Sequence, residues 1–424
     1  MTGSILSTTR LRGFVSWIKK RLWVRPLALS VLSVAGIFIA SLADDRGLSS
    51  ILPEISMDSV ESLLSIMAAS MLVIATFAVG SMVAAYASAS TSATARSFSL
   101  VITDDVTQNA LSAYIGAFIF SLVSLVAVKN AMFDSAGLFA IFALTVLVFG
   151  VVVGTFVRWV DRIARLGRVS NTIEKLEKAT AAALDRRRQS PILGASPATR
   201  SLTGVTGTVV HSPTVGYVQS IDMQALQSLA ETSKCYMRVA VLPGAFVSQR
   251  QALLRVVGAE LINAKECASA FKIGRARAFE DDPRFGLVAL AEIGGKSLSS
   301  SINDPGTAIE IIGTMVRLFA LWQMPLADKE HLKIEFDRIS AQPLDIEDLF
   351  DDAFTAIARD GAGIVEVAVR LQQAFAALAE TDDQAMAASA WQFSRMALAR
   401  SERAMSHPND IARVRTAAAF SEAA

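Results

Sequence analysis

The stretch "AASMLVIATFAVGSMVAAYASASTS", Ala68–Ser92, decides the fold. It carries no charge and no proline, and it is long enough to cross a hydrocarbon core, which takes about 20 apolar residues. It is also dense in Ala, Ser, Gly and Thr. Small residues let helix backbones approach closely, and hydroxyls can bond across helices. One reading is a tightly packed central helix. The other is a pore-lining or subunit-contacting helix whose hydroxyls face water. Both place the segment in the interior of an assembly. The candidate packing or pore residues are Ser70, Ala78, Gly80, Ser81, Ala85 and Ser88, with Tyr86 and the Ser88–Ser92 tract at the mouth.

Working outward, the chain has 424 residues, of which 52% are hydrophobic, and the excess lies almost entirely before residue 160. Four runs qualify as spanning helices: Pro26–Ala43, Leu63–Ala89, Asn109–Val128 and Gly137–Val157. Lysine and arginine bias sets their orientation. Arg10, Arg12, Lys19, Lys20, Arg21 and Arg25 precede the first span, and Arg158, Arg162, Arg165 and Arg168 follow the fourth. Asp44, Asp45, Glu54 and Asp58 lie between the first two. Both termini are therefore expected in the cytoplasm. No Asp, Glu, Lys, Arg or His lies in the interior of a span, which counts against a proton relay or an ion-coupled carrier.

Beyond the spans a helix is expected to continue into the cytosol, followed by a Pro-, Gly- and Ser-bearing linker at Gln189–Gly204. From about Gly207 to Val257 the alternation shortens toward strands, with a Pro243-Gly244 turn suited to a hairpin. From Leu261 onward the pattern reads helical throughout. The strand region resembles the lipoyl or biotinyl carrier barrel at Gly216, Val218, Val241, Gly244, Val247 and Leu253, with Arg250 where a second glycine would stand. It has no lysine-bearing hairpin, so the resemblance implies a structural or docking module.

Two segments of the helical region, "FEDDPRFG" and "INDPGTAI", place Asp-Pro directly before an apolar helix. Asp at the N-cap accepts from free backbone N–H groups, and Pro at the first helical position has no N–H to leave unsatisfied. Capping alone explains each. A sharper reading notes that Arg275, Arg277 and Arg284 lie near Asp282, and that Ser301 and Asn303 precede Asp304. If the two helix starts lay side by side, these residues would frame a phosphate or carboxylate. The alternative is an internal network of arginines and carboxylates locking helices together.

The layout as a whole resembles a bacterial family of predicted membrane proteins that carry domain of unknown function 2254. The resemblance rests on the small-residue second span leading into "SFSLVITDDVTQNALSAYIGAFIFSLV", on "GYVQSID", on "FKIGRARAFEDDPRFGL" and on "INDPGTAI". Phe279, Asp282, Phe285 and Gly286 match one family motif. Ile302, Asn303, Asp304 and Pro305 match the other, with Ser300 and Ser301 in place of its Pro-Gly. The resemblance implies a membrane location and names no activity.

The expected fold is a membrane α-helical domain of four transmembrane helices plus a cytoplasmic α+β region, in which a small β-barrel-like module is followed by a helical bundle. The expected boundaries are 1–165 for the transmembrane domain, 166–205 for helix extension and linker, 206–260 for the β module and 261–424 for the helical domain. The expected function is a homo-oligomeric channel or passive transport protein of the bacterial inner membrane, with a cytoplasmic regulatory domain. The other reading is a membrane-anchored sensor or scaffold that binds an anionic ligand or a protein. No phosphate loop, zinc-protease or nucleophile-elbow motif is present, and His211, His331 and His407 are scattered. No enzyme activity, cofactor or metal is expected, and Cys235 and Cys267 read as reduced thiols. The lipid bilayer and further copies of the chain are the expected partners, with a small anion or a protein in the cytoplasm. With a net charge of +1 and no basic stripe, nucleic acid is not.

Overall fold

The computed structural model describes residues 53, 55–92, 94, 96–97, 105–163, 168–197, 207–258, 262–324 and 334–421. The expected first span, Pro26–Ala43, lies outside the described residues. The chain divides into two compact units between Thr172 and Ile173.

Among the described residues the first unit contains three helices long and apolar enough to cross a membrane: α1 (Met57–Ser92), α2 (Asp105–Lys129) and α3 (Ser135–Ile163). Val60, Leu64, Met67, Met71, Ala75, Ala78 and Met82 of α1 are buried at spacings of three or four, so they form one seam. α2 buries the small residues Ala110, Ala117, Ser121 and Ser124 together with the large Tyr114 and Phe120. A 2.7 Å pair between Lys129 and Glu61 brings the end of α2 to the start of α1, so the two run antiparallel. Trp159 of α3 is buried edge-on to Phe77 and Tyr114, with ring centroids at 6.0 and 6.4 Å. Three buried hydroxyls are satisfied within their own helices. Ser112, Ser121 and Thr145 donate to the carbonyls of Gln108, Ala117 and Ile141 at 2.6, 2.7 and 2.7 Å. Within a bilayer that removes the cost of an unpaired polar group.

The second unit opens with α4 (Val169–Gln189) and holds two open sheets and a helical layer. Its elements run β1 (Ala195–Pro197), β2 (Thr208–His211), β3 (Gly216–Ile221), α5 (Met223–Thr232), β4 (Tyr236–Val239), β5 (Phe246–Val247) and β6 (Ala252–Val257). Then come α6 (Ala264–Ser269), β7 (Phe271–Gly274), α7 (Pro283–Ser297), α8 (Pro305–Gln323) and β8 (Phe336–Ala341). Four helices finish the unit: α9 (Ile346–Asp360), α10 (Val365–Ala379), α11 (Gln384–Ala404) and α12 (Pro408–Ala418).

One sheet has the order β1-β8-β4-β6-β2, with β8 parallel to both neighbours and the remaining pairs antiparallel. The other has the order β5-β3-β7 and is antiparallel. Neither closes, so the barrel-like module expected from the carrier resemblance is corrected to two open sheets. The Pro243-Gly244 turn does not make a hairpin either. β4 pairs with β6 and β5 pairs with β3, so this turn carries the chain from one sheet to the other. Gly244 has a φ of +98°, which only glycine adopts without strain, and its N–H donates to Val218 O at 2.8 Å.

The region after Leu261 is also not helical throughout, since β7 and β8 are strands. Phe271 and Ile339 enter the same apolar core as Val218, Leu226, Met237 and Leu254. Gln227 of α5 fastens β8 from outside, donating to Asp337 Oδ1 at 2.7 Å and accepting from Arg338 N at 3.2 Å. The helical layer closes on stacked and edge-on rings of Phe319, Phe350, Phe354 and Phe375.

Candidate functional site

The start of α7 gathers most of the expected charged residues. Asp282 is its N-cap and accepts from Phe285 N at 3.1 Å, with Pro283 at the first helical position. The chain therefore turns here for the reason its sequence suggests. The Asp282 carboxylate is only 1% exposed, and Arg277 satisfies it with two hydrogen bonds, Nε to Oδ2 at 2.6 Å and Nη2 to Oδ1 at 2.9 Å. The Arg277 guanidinium also lies 5.2 Å from the centre of the Phe285 ring, which in turn packs on Phe279 at 4.3 Å. Gly244 presses on the same carboxylate. A Cβ there would stand 2.4 Å from Asp282 Oδ2.

Arg284 faces the other way. Its Nε donates to Asp352 at 2.5 Å and its Nη1 to Asp348, both on α9. Burial works against its charge, but the hydrogen bonds and charges of the two carboxylates outweigh this and raise its pKa. Arg275 is exposed.

The second helix start lies elsewhere. Asp304 caps α8, taking Thr307 N at 3.2 Å and Thr307 Oγ1 at 2.6 Å. These bonds hold its carboxyl below the usual range. Asp304 N donates to Ser297 O at 2.8 Å, which ties the loop to the last turn of α7. The two Asp-Pro starts are thus separated by the length of α7, about 22 Å at 1.5 Å per residue. Asn303 adopts a φ of +51° in the turn, and Ser301 is an exposed residue whose Oγ lies 3.2 Å from that of Ser299. Arg277, Asp282 and Arg284 come together, while Ser301, Asn303 and Asp304 are not beside them. The arrangement joins helices and leaves neither arginine open to an anion.

Residues the sequence reading did not single out complete this cluster. Arg186 and Arg187 at the end of α4 donate to the carbonyls of Glu280 and Asp281, and Arg188 donates to those of Leu321 and Met324 at 3.1 and 2.7 Å. Burial pushes the Asp281 carboxyl up, against the pull of Arg186 and Arg187. Higher on α4, Thr180 packs so closely on Gly286 that a Cβ there would stand 1.9 Å from its Oγ1. Three consecutive arginines at a helix end were the available signal.

The membrane candidates divide by face. Ala78 belongs to the buried seam of α1; Ser70, Ser81 and Ala85 are half-buried; Gly80 and Ser88 are exposed. Among the described residues nothing lies within 4 Å of where a Cβ would stand on Gly80.

Residues 19–377 match the family described as predicted membrane protein, DUF2254. The chain belongs to this family. Uncharacterized proteins of Mycobacterium bovis and Mycobacterium tuberculosis are each 27% identical to it over 110 residues, 24% of this chain and 21% of theirs. The match thus spans about a fifth of those relatives' length. No solved structure matches. Membership in DUF2254 agrees with the three apolar helices and assigns no reaction to the arginine–aspartate cluster.

Proposed function

We propose that this DUF2254 protein is a homo-oligomeric channel or passive transport protein of the bacterial inner membrane, with both termini and the second unit in the cytoplasm. One observation carries the reading. One seam of α1 is buried within the chain, while a row of small and hydroxyl residues, Ser65, Ala69, Thr76, Gly80 and Ala84, lies on its exposed face among large apolar ones. Helix faces of this composition support close approach of further helices or the lining of a path. Leu72, Val73 and Phe77 flank the row and suit contact with acyl chains or a neighbouring copy.

The alternative of an anion sensor at the arginine cluster is less well supported, because Arg277 and Arg284 are both held by internal carboxylates. The oligomer is tested by single cysteines at Ser65, Thr76 and Gly80 in native membranes. Cross-linking between copies at these positions, and not at Ala78, is the expected result. Its absence at all of them contradicts the assembly.

A further inference from the structure

Along α4 the buried residues Ile173, Leu176, Thr180, Leu184 and Arg187 form a single stripe. Arg187 therefore occupies a place the helix otherwise fills mostly with apolar side chains, and it is only 4% exposed. A guanidinium carries five N–H donors. Here Nη2 makes one long bond, 3.3 Å to Asp281 O, and Nη1 meets no acceptor. Arg188 has the same defect at Nε, although its other nitrogens reach Asp185, Leu321 O and Met324 O. Arg277 and Arg284, by contrast, are each held by two hydrogen bonds to carboxylates.

We propose that the last turn of α4 is a latch: it is docked on the segment before α7 and on the end of α8, and it releases readily because docking leaves donors of Arg187 and Arg188 unsatisfied. Donors that leave water without a new acceptor oppose the docked state. Burial of Arg187 also lowers its pKa, against the charges of Asp281 and Asp282, so those carboxylates compensate it incompletely. What holds the latch is the set of carbonyl bonds from Arg186 and Arg188, together with the two-point pair of Arg317 on Glu177 at 2.7 and 2.8 Å. Release returns the guanidinium groups to water, while α7 to α12 keep their own core of phenylalanine rings.

An apolar residue of similar length at 187 should then hold the latch shut, since it removes the donors that docking takes from water without supplying an acceptor. The test is hydrogen exchange, read by mass spectrometry on the full chain in detergent micelles, following amides 180–189 with α10 as internal reference. In the wild type the end of α4 exchanges faster than α10. Arg187→Met slows it about tenfold, and Arg188→Ala, which removes both bonds to the α8 end, speeds it. Neither variant changes α10. Faster exchange in Arg187→Met would overturn the latch by making the guanidinium a net anchor. A wild-type α4 end that exchanges in step with α10 would overturn it as well. The readout involves neither flux nor oligomer, so it is independent of the channel reading.

Discussion

Arg277 and Asp282, five residues apart, meet in a two-point pair with bonds of 2.6 and 2.9 Å, and Gly244 lies against the same carboxylate. One buried acid thus caps α7, fixes the strand-to-helix loop and seats the turn between the two sheets. Removing one partner of a buried pair leaves the other uncompensated, which costs about 3–5 kcal/mol. Asp282→Ala is expected to destabilise the second unit by that much, seen as a lower melting temperature. Gly244→Ala should reproduce part of the loss, about 1–3 kcal/mol from overcrowding. Gly258→Ala, at φ +88° with open space around it, should lose only the conformational part. Melting of the three variants in one detergent checks the order.

Gly286 marks where α4 and α7 touch. A methyl group there would meet Thr180 Oγ1 at 1.9 Å and Cγ2 at 2.8 Å. Gly286→Ala is therefore expected to destabilise by about 1–3 kcal/mol. Thr180→Ala removes those two atoms and leaves Cβ, so the double variant should recover a substantial part. A double-mutant cycle with no coupling between the positions would contradict the contact.

Two perturbed carboxyls, Asp281 and Asp304, give pH dependences of opposite sign. Asp281 is raised above its ordinary 3.8 by burial. The folded chain then binds that proton more tightly than the unfolded chain does, so its contribution to stability falls as pH rises through the window above 3.8 and returns on acidification. Asp304 is lowered below 3.8 by Thr307, so its contribution is present above that value and lost as pH falls through its depressed folded pKa. Asp281→Asn should make stability rise more steeply with pH just above 3.8, and Asp304→Asn should shrink the loss below it. Melting profiles across this range decide both.

On α1, two faces of the same turn should respond differently to the same substitution. Ala78 is buried in the seam with α2, so Ala78→Trp is expected to destabilise the first unit by at least about 1–3 kcal/mol. Gly80 is exposed, and Gly80→Trp should leave the fold of the single chain intact. Size-exclusion and melting of each variant in detergent distinguish the two.

The parts legible in the sequence are those whose signal is local. Uninterrupted apolar runs identify α1, α2 and α3, and the Asp-Pro pairs place the starts of α7 and α8 at Pro283 and Pro305. The strands Phe271–Gly274 and Phe336–Ala341 escaped because each is short and lies between helices. The second pairs with strands far away in the chain, Ala195–Pro197 and Tyr236–Val239. The site follows the same division. Arg277 and Asp282 are five apart and could be suspected, whereas Arg284 finds its carboxylates 64 and 68 residues later. Nor does spacing alone say that α7 runs unbroken between the two Asp-Pro starts and so holds them apart.

The central claim is passage through an assembly of α1 faces, and the most direct test is ion flux from liposomes holding the purified full-length protein. The account predicts flux of a small cation or anion that Gly80→Trp changes at unaltered oligomer size. Silence across cations and anions from a correctly assembled oligomer would contradict it.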